Sequence, residues 1–155
     1  MLATFEGNDV RFTSSTKDHN KVVVYVFSDT NSGEYYLYDR QKKTVAYLSA
    51  SRDWLDPQAM VMTEPMTIKT RDGADIYGYL TLPKNQSKNL PLVVLPHGGP
   101  HGVRDWWGFN WEVQLLANQG YAVLQVNYRG SSGFGSAFED IGKGKWGGLV
   151  QDDLT

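Results

Sequence analysis

The 155-residue sequence contains no cysteine. That absence excludes a disulfide framework, a thiol nucleophile and thiolate metal ligands, and it is compatible with a reducing cytosol as well as a periplasm. The start of the chain also lacks a basic segment followed by an apolar one, and no stretch approaches the roughly 18 consecutive apolar residues of a membrane span. The sequence therefore predicts neither a secretion signal nor a membrane-spanning segment.

Long runs of one charge are missing as well. The 15 basic and 17 acidic residues are interspersed and leave a formal net charge of −2. A surface that binds nucleic acid needs clustered lysine and arginine, so this balance argues against a nucleic-acid partner and favours peptides or small molecules. The apolar share of 41% is typical of a globular protein with a hydrophobic core.

The first third of the chain reads as an antiparallel meander. Three short stretches rich in valine and tyrosine, "KVVVYVFS", "YYLYD" and "TVAYLSA", alternate with turn residues between positions 22 and 50. Phe5, Val10 and Phe12 are candidates for an outer strand before them. Aromatic residues on both faces suggest a unit that stacks against neighbours, as a propeller blade does. We expect this domain to cover residues 1–53.

Residues 54–155 have the pattern of an α/β fold. The stretches "MTIKT" and "IYGYLTLP" around Asp72-Gly73 predict a hairpin. The runs "LPLVVLP" and "YAVLQVNY" predict parallel strands buried on both faces, joined by a right-handed crossover through a helix that ends at Gly120. Trp106, Trp107 and Trp111 are expected to pack that helix against the sheet, and the alternative is that they line a pocket.

A glycine-rich loop, His97 to Gly102, follows the first of these parallel strands. Open α/β sheets bind their ligands at the carboxyl ends of such strands. The N–H groups of Gly98 and Gly99 can approach a carbonyl oxygen that becomes negative, which predicts an oxyanion hole. The alternative is a tight turn that needs glycine for its backbone angles.

Other motifs carry weaker signals. "GKGKWG" has the G-x-G-x-x-G spacing of a dinucleotide site but does not follow a buried strand. His97 and His101 are four residues apart, but the Gly-Gly-Pro between them prevents the helix that a zinc motif of this spacing needs. Asp152 and Asp153 are adjacent on a short helical segment and point in different directions. We therefore predict no metal and no nucleotide cofactor.

Three segments together resemble the prolyl oligopeptidase family of serine peptidases, in its acylaminoacyl-peptidase and dipeptidyl-aminopeptidase-like branch. They are "RDGADIYGYLTLP", the stretch from "LPLVVLPHGGPHG" to "NYRGSSGFG", and "GKGKWGGLVQDDL". The resemblance implies the N-terminal part of an α/β-hydrolase domain, with an incomplete sheet, preceded by a meander similar to the last blade of a β-propeller. It also implies a Ser-Asp-His triad, hydrolysis of short peptides near their amino terminus, and no cofactor.

The same resemblance assigns roles to five residues. His97, Gly98 and Gly99 match a family loop beside the oxyanion site, where a backbone N–H of one of the glycines is the favoured donor. Tyr128 and Arg129 match a loop below the active site, where they hold structure more often than they touch substrate. A substrate contact by Tyr128 or Arg129 is the alternative.

The catalytic triad is not in these residues. An α/β-hydrolase nucleophile lies in G-x-S-x-G, and neither Ser131 nor Ser132 fits that pattern. The three histidines, His19, His97 and His101, all precede any position where the nucleophile is expected. The resemblance places the nucleophile a short way beyond "WGGLVQDDL".

Three hypotheses follow. The first is a segment of a serine peptidase that is inactive alone. The second is a non-catalytic relative that acts as a binding or assembly module and forms homo-oligomers through exposed sheet edges. The third is an esterase with the same fold, which the propeller-like meander argues against.

Overall fold

The computed structural model describes residues 2–99 and 102–155. The chain divides into two compact units. One contains the residues up to Met62 together with Gly108–Gln114, and the other contains Thr63–Trp107 and Leu115–Thr155. The domain boundary expected between residues 53 and 54 stays a prediction.

The first unit is a four-stranded antiparallel sheet in the order β1-β2-β3-β4. Its strands are β1 (Asp9–Ser15), β2 (Lys21–Phe27), β3 (Glu34–Asp39) and β4 (Thr44–Ala50). The three predicted strands are thereby confirmed, and Val10 and Phe12 lie in the outer strand β1. Phe5 lies instead in a short 3₁₀ turn, Leu2–Phe5, with its ring centroid 4.8 Å from that of Tyr36.

The alternation of valine with aromatic residues in β2 gives this sheet its two faces. Val24 and Val26 are buried on one face. On the other, Tyr25 contacts the rings of Phe27 and Tyr35 at centroid distances of 5.3 and 4.9 Å. Rows of aromatic side chains across neighbouring strands stabilise the sheet beyond its hydrogen bonds.

The second unit contains a mixed sheet in the order β5-β6-β8-β7. Its strands are β5 (Thr63–Lys69), β6 (Asp75–Thr81), β7 (Leu92–Pro96) and β8 (Ala122–Asn127). The predicted hairpin is confirmed, since β5 pairs antiparallel with β6. The parallel pairing of β7 with β8 is also confirmed. The hand of their connection stays a prediction.

Three short α-helices and a 3₁₀ turn, Pro57–Ala59, complete the described elements. The helices are α1 (Trp111–Asn118), α2 (Ser136–Asp140) and α3 (Leu149–Asp152). Helix α1 is the predicted connection, and it is followed by Gly120 at a φ of +93°, which ends the helix as expected. Among the described residues, no helix has the length and apolar character that crossing a membrane requires.

The core of the second unit lies where the sheet meets the segment after β8. Its buried members are Ile76, Val126, Tyr128 and Phe138. The Phe134 ring stacks on Tyr77, with centroids 4.5 Å apart. Burial of these rings fixes the loop that follows β8 against the sheet, which places the residues described below.

Two burial predictions were wrong. The strand β7 is not buried on both faces, because it lies at the sheet edge and, in the described part of the chain, pairs with β8 alone; Leu92 is 55% exposed. Two of the tryptophans expected to pack are exposed, Trp106 at 70% and Trp111 at 57%. Trp107 is half-buried and its indole N–H donates to the carbonyl oxygen of Thr63 at 3.1 Å.

Gln114 is a buried polar residue of the first unit. Its amide nitrogen donates to the carbonyls of Asp29 and Val61 at 3.1 and 2.8 Å, and its amide oxygen accepts from the Val61 N–H at 3.0 Å. One side chain therefore satisfies three backbone groups, each of which costs about 1–3 kcal/mol when buried without a partner.

We expect Gln114→Met to lower the free energy of unfolding of the chain by about 3 kcal/mol, because methionine has a similar size but leaves those groups unpaired. Urea titration followed by tryptophan fluorescence measures the change. Gln119→Met, at an exposed position just after the same helix, is the matched control and should change the value by less than about 0.5 kcal/mol. Equal effects of the two substitutions would contradict the role assigned to Gln114.

Candidate functional site

The candidate site lies where two loops leave the parallel strands. Pro96 at the end of β7 is in register with Val126 near the end of β8, so the residues that follow the two strands are neighbours. His97 and Tyr128 are brought together in this way. Their rings stack with centroids 4.4 Å apart and planes inclined by 20°.

Tyr128 and His97 bind the carbonyl oxygens of the loop. The Tyr128 hydroxyl donates to Gly99 O at 2.6 Å and lies 3.1 Å from His97 O. The Nδ1 atom of His97 is 3.0 Å from Gly98 O. Burial, and secondarily the Asp105 carboxylate, raise the pKa of Tyr128, so its hydroxyl keeps the proton that it donates.

The bound carbonyls determine where the N–H groups of the loop point. In a trans peptide, the C=O of one residue and the N–H of the next lie on opposite sides, and the described residues contain no cis peptide. Gly98 and Gly99 are exposed, and within the described residues neither N–H donates to a protein acceptor. Gly99 has a φ of +77°, which favours glycine. The loop thus offers two N–H donors to a ligand.

A buried serine completes this network. Ser131 Oγ lies 2.7 Å from His97 Nε2 and donates to the carbonyl oxygen of Tyr128, also at 2.7 Å. The distance is that of a catalytic serine–histidine pair, but Ser131 is fully buried. A hydroxyl that no substrate can reach is not a nucleophile.

Asp105 is a partly buried carboxylate that interacts electrostatically with His97. Its main chain is paired with the buried Asn127: the Asp105 N–H donates to Asn127 Oδ1 at 2.7 Å, and the Asn127 amide donates to Asp105 O at 3.2 Å. One carboxylate oxygen, Oδ2, is buried and has no hydrogen-bond partner among the described residues. Burial raises the pKa of Asp105 against the opposing effects of His97, Gln125 and Arg104.

Arg129 lies between two carboxylates on other segments. Its guanidinium donates to both oxygens of Asp72 at 2.8 and 2.9 Å and to Asp153 at 2.6–3.1 Å. The side chain of Arg129 is 5% exposed and that of Asp153 is fully buried. These hydrogen bonds lower the pKa of Asp72. The substrate contact considered for Arg129 and Tyr128 stays a prediction.

Sequence reasoning missed the link from Ser131 to His97, which are 34 residues apart. It treated Ser131 only as a candidate nucleophile. The available signal was positional, because both residues follow strands predicted to be parallel neighbours. Pro100 and His101, the other members of the predicted loop, lie outside the described residues. Within the described ranges, no three His, Asp or Glu side chains are grouped so that they could hold a metal ion.

Comparison with known proteins agrees with the motifs. The model of the prolyl oligopeptidase family matches residues 107–155. Dipeptidyl aminopeptidase BIII of Pseudoxanthomonas mexicana is 40% identical over 154 residues, an alignment that covers 94% of this chain and 22% of that protein. The chain belongs to the prolyl oligopeptidase family. The resemblance stated from the sequence is confirmed.

Solved structures of this family have a similar fold. A crystal structure of puromycin hydrolase matches with a TM-score of 0.71 and 25% identity, over 92% of this chain and 22% of that one. The acylaminoacyl peptidase of Pyrococcus horikoshii matches with a TM-score of 0.68 and 23% identity, over 93% of this chain and 22% of that one. The chain therefore spans about a fifth of the length of the relatives it matches.

Proposed function

We propose that this chain carries the oxyanion-binding loop of a serine peptidase that cleaves short peptides by acyl transfer. The observation that carries the proposal is the pair of exposed N–H groups at Gly98 and Gly99, held in place because the neighbouring carbonyls are bound by Tyr128 and His97. The 40% identity to a dipeptidyl aminopeptidase supports a peptide as the substrate.

The proposed chemistry follows from this placement. When a nucleophile attacks a peptide carbonyl, the oxygen becomes negative and accepts hydrogen bonds from donors that are already oriented. Loss of one such donor lowers kcat by about 10²–10³-fold. The nucleophile, the acid and the base are supplied from outside these 155 residues, because the chain has no G-x-S-x-G and no histidine after one.

The architecture is proposed in the same terms. The β1–β4 meander corresponds to the last blade of a propeller, and the β5–β8 sheet corresponds to the first strands of an α/β-hydrolase domain. The position of β7 at the edge of the sheet, where it pairs with β8 alone among the described strands, supports this assignment, because further strands of such a sheet pair at an edge of this kind.

A serine-directed fluorophosphonate probe tests the proposed function. We expect the 155-residue chain to remain unlabelled, and the complete gene product that carries it to be labelled and to hydrolyse dipeptidyl p-nitroanilides. Heat-denatured gene product is the control for non-specific labelling. Stoichiometric labelling of the chain would show that the nucleophile lies within it. An unlabelled, inactive gene product would instead favour the binding or assembly module.

A further inference from the structure

We propose that Ser131 is a positioning residue for the oxyanion loop, His97–Gly99. Its hydroxyl binds His97 Nε2 at 2.7 Å. The other ring nitrogen, Nδ1, lies 3.0 Å from Gly98 O, so the position of the ring determines the orientation of the Gly98–Gly99 peptide. This inference rests on the proposed function, because it names the residue that holds one of the two oxyanion donors in place.

The first step is the proton on the histidine ring. A neutral imidazole has one N–H, and the partner of one ring nitrogen determines which nitrogen carries it. The Ser131 hydroxyl donates its one proton to Tyr128 O, so Ser131 Oγ accepts a hydrogen bond from His97 Nε2–H. The other ring nitrogen, Nδ1, lies 3.0 Å from Gly98 O and donates to it when the ring carries both protons. Ser131 thereby holds the ring in the plane that brings Nδ1 to Gly98 O.

The second step is the peptide that follows. Because the Gly98 carbonyl is bound on one side, the Gly99 N–H of the same trans peptide is directed to the other side. Without the Ser131 hydroxyl, Nε2–H loses its acceptor and the ring is free to turn away from Gly98 O. Loss of the contact between Nδ1 and Gly98 O releases the peptide and, with it, the Gly99 donor.

The burial of Ser131 suits this role. The residue is fully buried, and its backbone N–H donates to Tyr128 O at 3.0 Å in the turn after β8. Its hydroxyl therefore has a fixed position relative to the sheet. His97, in contrast, is half-buried on a loop that has two glycines next to it. A fully buried group thus orients a half-buried one.

Steady-state kinetics of the complete gene product test the proposal. We expect Ser131→Ala to lower kcat about tenfold and to leave KM within about twofold, because an oxyanion donor acts mainly in the transition state. Ser132→Ala is the matched control: its side chain has no hydrogen bond among the described residues, and its kcat should match that of the wild type. A wild-type kcat in Ser131→Ala, or a rise in KM alone, would overturn the proposal.

A double-mutant cycle separates positioning through His97 from a general effect on the loop. In a His97→Ala background the ring is absent, so adding Ser131→Ala should lower kcat by no more than about twofold. If the two substitutions multiply, Ser131 acts independently of His97 and the proposal fails. Should Ser131→Ala not fold, Ser131→Cys, which keeps the volume but accepts hydrogen bonds only weakly, takes its place in both measurements.

A crystal structure of the Ser131→Ala or Ser131→Cys gene product distinguishes failure of this inference from failure of the proposed function. We expect the Gly98 oxygen to move out of hydrogen-bond distance of His97 Nδ1 whether or not the protein cleaves peptides. An unmoved Gly98–Gly99 peptide would overturn the positioning role. Absence of peptidase activity in the wild-type gene product would overturn the proposed function and leave this structural result to decide the role of Ser131.

Discussion

Replacing Arg129 with methionine is expected to lower the free energy of unfolding of the chain by about 3–5 kcal/mol, the cost of leaving a buried charge without its partner. The buried charge is Asp153, whose side chain is fully excluded from solvent beside an arginine that is 5% exposed. The substitution also releases the hairpin turn, because the same guanidinium holds Asp72. Urea titration followed by tryptophan fluorescence measures the loss.

Arg71→Met is the matched control for that substitution, since Arg71 is an exposed arginine next to Asp72. It should change the free energy of unfolding by less than about 0.5 kcal/mol.

The pH dependence of the free energy of unfolding gives a second check. The pKa of Asp72 is lowered in the folded chain, so its contribution is present above its unfolded value and is lost as the pH falls below about 4. That part of the decline should be smaller in Arg129→Met, in which Thr70 still donates to Asp72. A variant as stable as the wild type would contradict the structural role of Arg129.

Gly99→Ala in the complete gene product is expected to lower kcat by about 10- to 100-fold, which corresponds to about 1.4–2.7 kcal/mol in the activation free energy. Gly99 has a φ of +77°, a conformation that alanine adopts at a cost of about 1–2 kcal/mol. A Cβ at this position would also lie 2.9 Å from Val103 Cγ2. The loop has to shift to relieve the backbone strain and the close contact with Val103, and the Gly99 N–H shifts with it.

The control for backbone strain is Gly7→Ala. Gly7 has nearly the same φ, +78°, and no heavy atom would lie within 4 Å of a Cβ there. It lies in the first unit, so the substitution should lower stability without changing kcat. A fall in kcat for both variants would show that strain alone, and not the position of Gly99 in the oxyanion loop, explains the loss.

Most elements of this chain were predictable from local pattern. The meander, the hairpin around Asp72-Gly73 and the helix that ends before Gly120 all depend on residues close in sequence, whose turn preferences and apolar spacing are visible in the chain. The family was recognisable because its motifs occur in order. Burial was harder to predict, as Trp106, Trp111 and Leu92 show. The same apolar side chain is buried or exposed according to which elements lie next to it.

The sequence by itself determined the local structures and the glycine-rich loop that we propose as the oxyanion loop. The tertiary structure decided which of those residues act together. Arg129 meets Asp72 and Asp153 from 57 and 24 residues away, and Ser131 meets His97 from 34 residues away. These partnerships depend on the register of β8 with its two neighbours, antiparallel to β6 and parallel to β7, and on the packing of the segment after β8. Register and packing are properties of the whole sheet, so no local pattern in the sequence specifies them.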